Sequence, residues 1–250
     1  NKNYSAYSIN SLDASLNYLP DTIKCKVESN IGIDEAKLIN SLRLSNKSIN
    51  VATSLIFHRN TQKIVIEPSS FSFESANFAL EGYIDLLNDG YIDLTVKGGD
   101  KDFSILNLFL KSTVVENIDE GDLFFNATVV GMLKKGIPQI ECSFGITDVK
   151  IQIPNTNKSI SKLSLTGFFQ SGNKKNYSEA QLKLTEISAQ LPGGNLDGNF
   201  SVVNFLAPLY DFQYKMKTDL VGFENIINLS SLDSLSGNVE IVGSFRGKYD

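Results

Sequence analysis

The stretch Ile92-Asp-Leu94-Thr-Val96-Lys97 decides the fold, because apolar and polar residues alternate along it without a break. Strict alternation predicts a β-strand with one buried face, since successive side chains of a strand point to opposite faces. A turn at Gly98–Asp100 follows, and the next segment, Asp102–Leu110, has its apolar residues at helical spacing. We therefore predict a strand followed by a short amphipathic helix that closes over the apolar face.

The same strand-and-helix unit is predicted at two other places in the chain. Near the start, the strand Ile23–Glu28 is followed by a helix at about Asp34–Leu44. Near the end, the strand Phe212–Lys217 is followed by a helix at Phe223–Leu229. A recurring unit is typical of a repeat architecture, in which each copy packs on its neighbours.

A longer repeat is visible in several pairs of positions that share one spacing along the chain. These pairs are Phe71 with Ile187, Leu80-Glu-Gly82 with Leu196-Asp-Gly198, Gly121 with Gly237, and Gly131 with Gly247. We therefore interpret residues 1–250 as one elongated segment with approximate repeats at 8–65, 66–131 and 182–247. A strand-rich insertion at 132–181 separates the second repeat from the third.

The whole chain predicts about fourteen strands, nearly all antiparallel because the turns between them are short. Asp89-Gly90 and Pro192-Gly193 are signals for tight turns. Pro68 is predicted to end a strand, because proline cannot donate a hydrogen bond to a neighbouring strand. Ile140–Ile146 and Val149–Ile153 are predicted to be two strands that pair with each other.

Composition argues against two broad classes of protein. The net charge of -5 and the charged fraction of 20% do not favour the basic surface that nucleic-acid binding needs. No apolar run approaches the roughly eighteen residues of a membrane-spanning helix. The chain begins with Asn1 instead of Met, so we interpret it as an excised piece of a longer polypeptide whose anchor or export signal lies outside it.

The residues that usually carry chemistry form no reactive pattern. A disulfide is one interpretation of Cys25 and Cys142, but each alternates with apolar residues, which favours small hydrophobic side chains in strands. His58 is the only histidine, and we expect it to be solvated at a strand end. Asp100 and Asp102 lack the further ligands of a calcium loop. We therefore predict no enzyme activity, no catalytic residue, no metal and no cofactor.

The apolar faces of the predicted strands must be covered by some partner, because apolar surface in water is unfavourable. A second sheet or a closed barrel would cover them, but the repeat favours one continuous apolar stripe. The predicted helices are too few and too short to cover that stripe. Its candidate lining residues are Ile23, Cys25, Val27, Leu94, Val96, Leu123, Phe125, Ile140, Cys142, Phe144, Leu163, Leu165, Leu182, Leu184, Leu196, Phe200, Phe212, Tyr214 and Met216.

Several motifs resemble those of the AsmA-like proteins of diderm bacteria, which are relatives of TamB. They are the Leu-acidic-Gly hairpins, the strand end Asn204–Pro208, the run Gly121–Phe144 and the closing segment Gly243–Gly247. The resemblance implies a long sheet folded into a U-shaped trough, anchored in the inner membrane and reaching across the periplasm. It also implies that the full-length protein moves phospholipids toward the outer membrane, as bridge-like lipid-transfer proteins do, with other envelope proteins as partners.

Together, the pattern and the resemblance predict a mainly β fold, an elongated, curved antiparallel repeat sheet forming a U-shaped apolar groove with a few short helices. The expected function is to bind the acyl chains of phospholipid, or of another acyl lipid, and to conduct lipids between the inner and outer membranes. Such a groove would lower a barrier of roughly 20 kcal/mol, because each methylene exposed to water costs ~0.8 kcal/mol. The alternative is a structural or adhesive β-sandwich with a closed core and no lipid site.

Overall fold

In a computed structural model, the described residues are 5–39, 42–74, 76–87, 89–100, 103, 117–134, 138–154, 156–172, 177–221 and 236–248. They form thirteen β-strands. The strands are β1 (Ser5–Tyr18), β2 (Thr22–Ile39), β3 (Leu42–His58), β4 (Lys63–Phe73), β5 (Ala76–Asp85), β6 (Tyr91–Asp100), β7 (Ile118–Met132), β8 (Gln139–Gln152), β9 (Ser159–Gln170), β10 (Gln181–Leu191), β11 (Gly194–Val203), β12 (Leu209–Asp219) and β13 (Asn238–Lys248).

All thirteen strands belong to one sheet, whose spatial order is the order along the chain, from β1 at one edge to β13 at the other. Every strand pair whose register is described is antiparallel. Sequential antiparallel neighbours need only short connections, which is why the turn signals predict this arrangement. The predicted mainly β, antiparallel fold is confirmed, as an open sheet.

Backbone contacts divide the chain into two units. The N-terminal unit comprises Asn1–Val115 and Phe125–Gln139, so it contains β1 to β6 and the second half of β7. The C-terminal unit comprises Glu116–Phe124 and Ile140–Asp250, so it contains the first half of β7 and β8 to β13. Each unit has an apolar face of its own.

Both predicted turns connect antiparallel strands, but only Pro192-Gly193 is a tight two-residue turn, whereas Asp89-Gly90 ends a five-residue connection, 86–90. Asp89 and Gly90, between β5 and β6, have φ angles of 76° and 74°, the positive range that hairpin turns require and that Asp and Gly tolerate. The Gly90 N–H donates to the Leu87 carbonyl at 2.9 Å. Pro192 and Gly193 connect β10 to β11, and Gly193 has φ 83°, as the third residue of a type II turn requires.

The helix predicted at about Asp34–Leu44 is wrong, because this segment forms the end of β2 and the start of β3. The backbone ladder continues through it, and Glu35 pairs with Ser45. Extending an existing ladder satisfies backbone groups directly, whereas a separate helix must first be nucleated at a cost in free energy. Local helical spacing is outweighed here by strand pairing.

The other two predicted helices fall almost entirely outside the described residues. Asp102–Leu110 is described only at Phe103, which lies in a 3-10 turn and is 6% exposed. Phe223–Leu229 is not described, although Leu220 and Val221 just before it are helical.

The predicted end of a strand at Pro68 is also wrong, because β4 continues through this residue. The register between β4 and β5 shifts between Ile66 and Ser69, which marks a β-bulge. A bulge leaves one residue unpaired, so the missing N–H of proline removes no ladder hydrogen bond. The Ser54 hydroxyl donates to the Glu67 carboxylate at 2.5 Å beside this bulge.

A second bulge replaces the hairpin predicted between Ile140–Ile146 and Val149–Ile153. Both segments belong to β8, which ends at Gln152 and pairs with β9 on either side of a register shift. Asp148, inside the bulge, has φ 52°, and its N–H donates to the Ser164 hydroxyl at 3.0 Å. An Asp in this left-handed conformation resembles a turn in sequence but here bends one strand.

The strand register supports part of the longer repeat. Gly82 lies opposite Leu94 on β6, and Gly198 lies opposite Tyr214 on β12. The Leu-acidic-Gly motifs of β5 and β11 therefore occupy equivalent positions relative to the strand that follows each of them.

One predicted equivalence within that repeat is wrong. On the side of the preceding strand, Gly82 lies opposite Ile66 and Gly198 lies opposite Ile187. Ile187 therefore corresponds to Ile66 and not to Phe71. The last pairs before the two turns, Phe73 with Ala76 and Leu191 with Gly194, are offset by 118 residues, whereas Gly82 and Gly198 are offset by 116, so the two hairpins do not share one spacing throughout.

We predict that replacing Gly82 with Ala destabilises the fold far more than replacing Gly237. Gly82 has φ +142° and an added Cβ would collide with the Asp93 carbonyl oxygen, whereas Gly237 has φ +119° but nothing within 4 Å of that position. The expected loss in free energy of unfolding is roughly 3 kcal/mol for Gly82→Ala and about 1 kcal/mol for Gly237→Ala. Urea unfolding followed by circular dichroism measures both, and equal losses would contradict this register.

Candidate functional site: the apolar faces of the two units

In the N-terminal unit, the register places apolar side chains opposite one another from strand to strand. Residues that pair directly in an antiparallel ladder point to the same face of the sheet. One such row, taken from β1 to β6, is Leu16, Cys25, Leu55, Ile66, Gly82 and Leu94. A neighbouring row is Tyr18, Ile23, Phe57, Ile64, Ile84 and Ile92. We call the surface formed by these rows the N-terminal apolar face.

The opposite face of the same strands is mostly polar. Lys26 and Glu28 of β2 are exposed there, and a ladder of side-chain amides crosses the first three strands. Asn30 donates to Asn50 at 2.6 Å and accepts from Asn10 at 2.6 Å. Cross-strand polar pairs of this kind stabilise neighbouring strands while they remain in contact with water. Ile56, Val65 and Tyr83 also pair on this side, so the face is mostly but not wholly polar.

The C-terminal unit repeats this arrangement on its own strands. A row from β8 to β13 is Cys142, Phe169, Leu182, Val202, Tyr210 and Gly247. The next row is Phe144, Gly167, Leu184, Phe200, Phe212 and Phe245. We call the surface formed by these rows the C-terminal apolar face. The opposite side carries exposed residues such as Lys183, Asn199 and Lys215.

Aromatic rings lie over glycines of neighbouring strands on the C-terminal apolar face. A Cβ at Gly167 would collide with the ring of Phe144, and a Cβ at Gly243 would collide with the ring of Tyr214. Because glycine leaves its side of the strand bare, the ring can lie across the backbone of the next strand. These rings therefore add apolar area to the face without standing upright on it.

The N-terminal apolar face contains a similar aromatic group. The ring of Phe78 covers Gly98, stacks on Phe71 with ring centres 4.8 Å apart, and meets Phe125 edge-on at 6.1 Å. Stacked and edge-to-face rings attract each other beyond the burial of their area. This group therefore links β4, β5 and the second half of β7 through side chains.

Most of both apolar faces is neither buried nor fully exposed. Val96 and Phe125 in the N-terminal unit, and Leu165 and Phe200 in the C-terminal unit, are all partly exposed. Large apolar side chains in a closed core are normally fully buried. All described strands belong to a single sheet, so these strands supply no second sheet to cover the apolar faces.

A small part of the N-terminal apolar face does form a local core. Ile33 and Phe73 are 4% and 7% exposed, and Ile49 and Phe78 pack against them. Phe73 is the last residue of β4, and Ile49 lies opposite it on β3. The face is therefore closed beside the turn from β4 to β5 and more open along the rest.

Every predicted lining residue lies on the apolar face of its own unit. Some are placed there by their pairing partner, and the others because they lie two or four residues along the strand from a residue whose face is known. All of them except Cys142 are partly exposed. The sequence prediction misses further members of the same faces, including Leu16, Leu55, Ile66 and Ile84. Their alternation with polar neighbours is the sequence signal that identifies them.

Both cysteines are free thiols, so the interpretation of them as small apolar side chains is confirmed and a disulfide is not formed. Cys25 lies between Leu16 and Leu55 on the N-terminal apolar face, and Cys142 lies opposite Phe169 on the other. Burial raises the pKa of the Cys142 thiol to about 11, because the thiolate would lose its hydration. Cys142 is therefore a poor nucleophile at neutral pH.

The remaining candidates for chemistry are dispersed. His58 ends β3, where it pairs with Lys63 and is partly exposed. Asp100 ends β6, and Asp102 lies outside the described residues. In the part of the chain that the structure describes, no group of three or more His, Cys, Asp or Glu residues is placed to hold a metal ion.

Comparison of the chain with protein-family models, with curated proteins and with solved structures finds no match. The resemblance to the AsmA-like proteins therefore rests on the sequence motifs alone. Within the described ranges, no helix combines the length and the apolar character needed to cross a bilayer.

We predict that Cys25 reacts with iodoacetamide well before Cys142 at pH 8. With a pKa of about 11, only about one Cys142 thiol in a thousand is ionised at that pH. The raised pKa also lowers the free energy of unfolding as the pH rises from about 9 to about 11, because in this range the thiol loses its proton in the unfolded chain but keeps it in the folded one. Peptide mass spectrometry over time measures the labelling, and equal rates for the two cysteines would contradict the burial of Cys142.

Proposed function

We propose that this chain binds the acyl chains of phospholipids, or of another acyl lipid, along its apolar sheet faces. As part of a longer protein, it conducts lipids between the inner and outer membranes of a diderm bacterium. The inner-membrane anchor, the periplasmic location and the envelope partners follow from the resemblance to AsmA-like proteins. No catalytic step is part of this proposal.

The observation that carries the proposal is the row of apolar residues that crosses six neighbouring strands of the C-terminal unit without a polar interruption. From Phe144 to Phe245, the row passes over β8 to β13 and remains partly exposed for most of its length. At ~4.8 Å per strand, six strands correspond to roughly 24 Å. This exceeds the ~15 Å that the acyl chains of one leaflet span in a bilayer.

The energetics favour a broad face over a tight pocket. Each methylene removed from water gains ~0.8 kcal/mol, and a diacyl lipid carries roughly thirty of them, so contact along a row offsets much of the cost of leaving the bilayer. The polar headgroup remains in water beside the face. No single contact holds the lipid, so a lipid that moves along the rows loses only a few apolar contacts at each step. Such a surface is better suited to conducting lipid than to holding one molecule tightly.

The alternative of an adhesive or structural β-sandwich requires a second apolar layer packed on the first. Residues such as Val96 and Leu165 would then be buried, yet both are partly exposed. The described strands form one sheet and not two. We therefore favour the lipid-binding proposal.

The first test of this proposal is whether lipid accompanies the protein. We expect the chain, expressed in a diderm bacterium and purified without detergent, to carry phospholipid that extraction and mass spectrometry detect at a stoichiometric level. An unrelated antiparallel β protein of similar size, purified in the same way, is the control. Lipid no more abundant than in the control would contradict the proposal.

The second test places a charge on each apolar face. Leu94→Asp and Leu165→Asp are expected to remove most of the bound lipid while lowering the free energy of unfolding by only roughly 1–2 kcal/mol, since a partly exposed carboxylate keeps access to water. Loss of the folded state would indicate a closed core instead.

The matched controls for these variants lie on the opposite side of the sheet. Ala79 is exposed on β5 opposite Lys97, and Ser143 is exposed on β8 opposite Phe168. Ala79→Asp and Ser143→Asp add the same charge to the same units, and we expect them to retain the bound lipid. Loss of lipid in these two variants would mean that the added charge acts through something other than the apolar faces.

A further inference from the structure

Two neighbouring turns of the N-terminal unit carry exposed apolar side chains. One turn connects β5 to β6 over residues 86–90, and the other begins where β7 ends at Met132. The turns are joined by backbone hydrogen bonds, because the Leu133 N–H donates to the Gly90 carbonyl at 2.8 Å and the Lys134 N–H donates to the Asp89 carbonyl at 3.1 Å. We call their exposed apolar side chains the apolar tip: Leu86 (44% exposed), Leu87 (40%), Met132 (41%) and Leu133 (43%).

The apolar tip lies at the open end of the N-terminal apolar face. Leu86 comes two residues after Ile84, a member of that face, and continues its alternation. Leu133 lies against Gly90, where an added Cβ would meet the Leu133 side chain at 3.4 Å. At the other end of these strands, Phe73 is buried beside the turn from β4 to β5. Apolar surface therefore continues from the face to the tip at one end and is covered at the other.

The backbone of the apolar tip is hydrogen-bonded within the protein. The Gly90 N–H donates to the Leu87 carbonyl at 2.9 Å, and the Leu86 N–H donates to the Gln62 carbonyl at 3.0 Å. The Leu87 N–H donates to the Asp85 carboxylate at 2.8 Å. With the two bonds between the turns, five N–H groups of the tip have partners. Because an N–H group that loses water without gaining a partner costs free energy, these bonds allow the tip to enter an apolar environment.

The charged residues around the apolar tip are of both signs. Lys134 is exposed, and Asp85 and Asp89 are partly exposed. The Asp85 carboxylate is already bonded to the Leu87 N–H. A mixture of charges selects neither a strongly anionic nor a strongly cationic partner. The attraction of this surface for a partner is therefore mainly apolar, and we expect it to depend little on salt.

We propose that the apolar tip inserts into the surface of a phospholipid bilayer, with its four side chains among the acyl chains and Lys134 at the level of the headgroups. A fluid bilayer accepts separate apolar side chains without a matching groove, which a protein partner would have to supply. The insertion itself does not depend on lipid transport. It also places the open end of the N-terminal apolar face at the bilayer, so that acyl chains pass between the two there, and this second step rests on the proposed function.

The first test uses the fact that the sequence contains no tryptophan. Leu87→Trp and Leu133→Trp each place one tryptophan in the apolar tip, and an apolar replacement of an exposed side chain preserves the fold. With vesicles of phosphatidylcholine that carries bromine on its acyl chains, we expect both variants to lose most of their fluorescence, because bromine quenches tryptophan on close approach. Ala79→Trp, on the opposite side of β5, is the matched control and should keep its fluorescence. Equal quenching at the three positions, or no quenching in the tip, would overturn the proposal.

The second test, flotation with phosphatidylcholine vesicles in a density gradient, distinguishes insertion from the proposed function. Leu87→Asp combined with Leu133→Asp should lower the vesicle-bound fraction about tenfold or more, because two carboxylates would have to leave water. Added salt, Ala79→Asp and Leu94→Asp should leave it unchanged, although Leu94→Asp removes lipid from the face.

The outcomes of the flotation test separate the two claims. A chain that floats through its apolar tip but carries no co-purified lipid would support insertion and contradict the proposed function. An original chain that does not float, or flotation that the two aspartates do not reduce, would overturn insertion and leave the lipid-binding faces to their own tests.

Discussion

The rest of the structure depends on the pairing register of neighbouring strands. Because side chains alternate along a strand, a slip of one residue would move every apolar side chain to the opposite face. The register observed here keeps Leu16, Cys25, Leu55 and Leu94 on one side of the N-terminal unit. Backbone groups are satisfied within the sheet itself, so the apolar side chains need not form a closed core before the strands can pair.

Bulges and glycines adapt this ladder locally. The bulges of β4 and β8, at Pro68 and Asp148, bend a strand and increase its twist without ending it. Glycines such as Gly167 and Gly243 allow the aromatic ring of a neighbouring strand to lie across the backbone. Each bulge shifts the register, but the apolar pairs on either side of it, such as Ile146 with Leu165 and Val149 with Leu163, stay on the same face. The acyl chains of the proposed lipid would therefore meet a broad apolar surface from which few side chains project.

The sequence predicts which side chains share an apolar face better than it predicts where each strand begins and ends. The alternation in Ile92–Lys97 is unambiguous because both the period and the turn at Asp89-Gly90 agree with a strand. Asp34–Leu44 is mispredicted as a helix because its apolar spacing fits a helix locally, and only pairing between β2 and β3 decides the outcome. Asp148 resembles a hairpin turn because Asp tolerates a positive φ, and a bulge uses the same conformation. The cover of Gly243 by Tyr214 depends on which strands are neighbours, which the sequence alone does not specify.

The central claim is that one side of this sheet is an accessible apolar surface able to take up acyl chains. The most direct test introduces a single cysteine at each position from Ile92 to Lys97, in a chain with Cys25→Ala and Cys142→Ala, and attaches a polarity-sensitive fluorophore. On addition of phospholipid vesicles, we expect the emission from positions 92, 94 and 96 to shift to the blue, and the emission from positions 93, 95 and 97 to stay unchanged. Fluorophores at 92, 94 and 96 that already report a dry environment before lipid is added, and do not respond to it, would contradict the account.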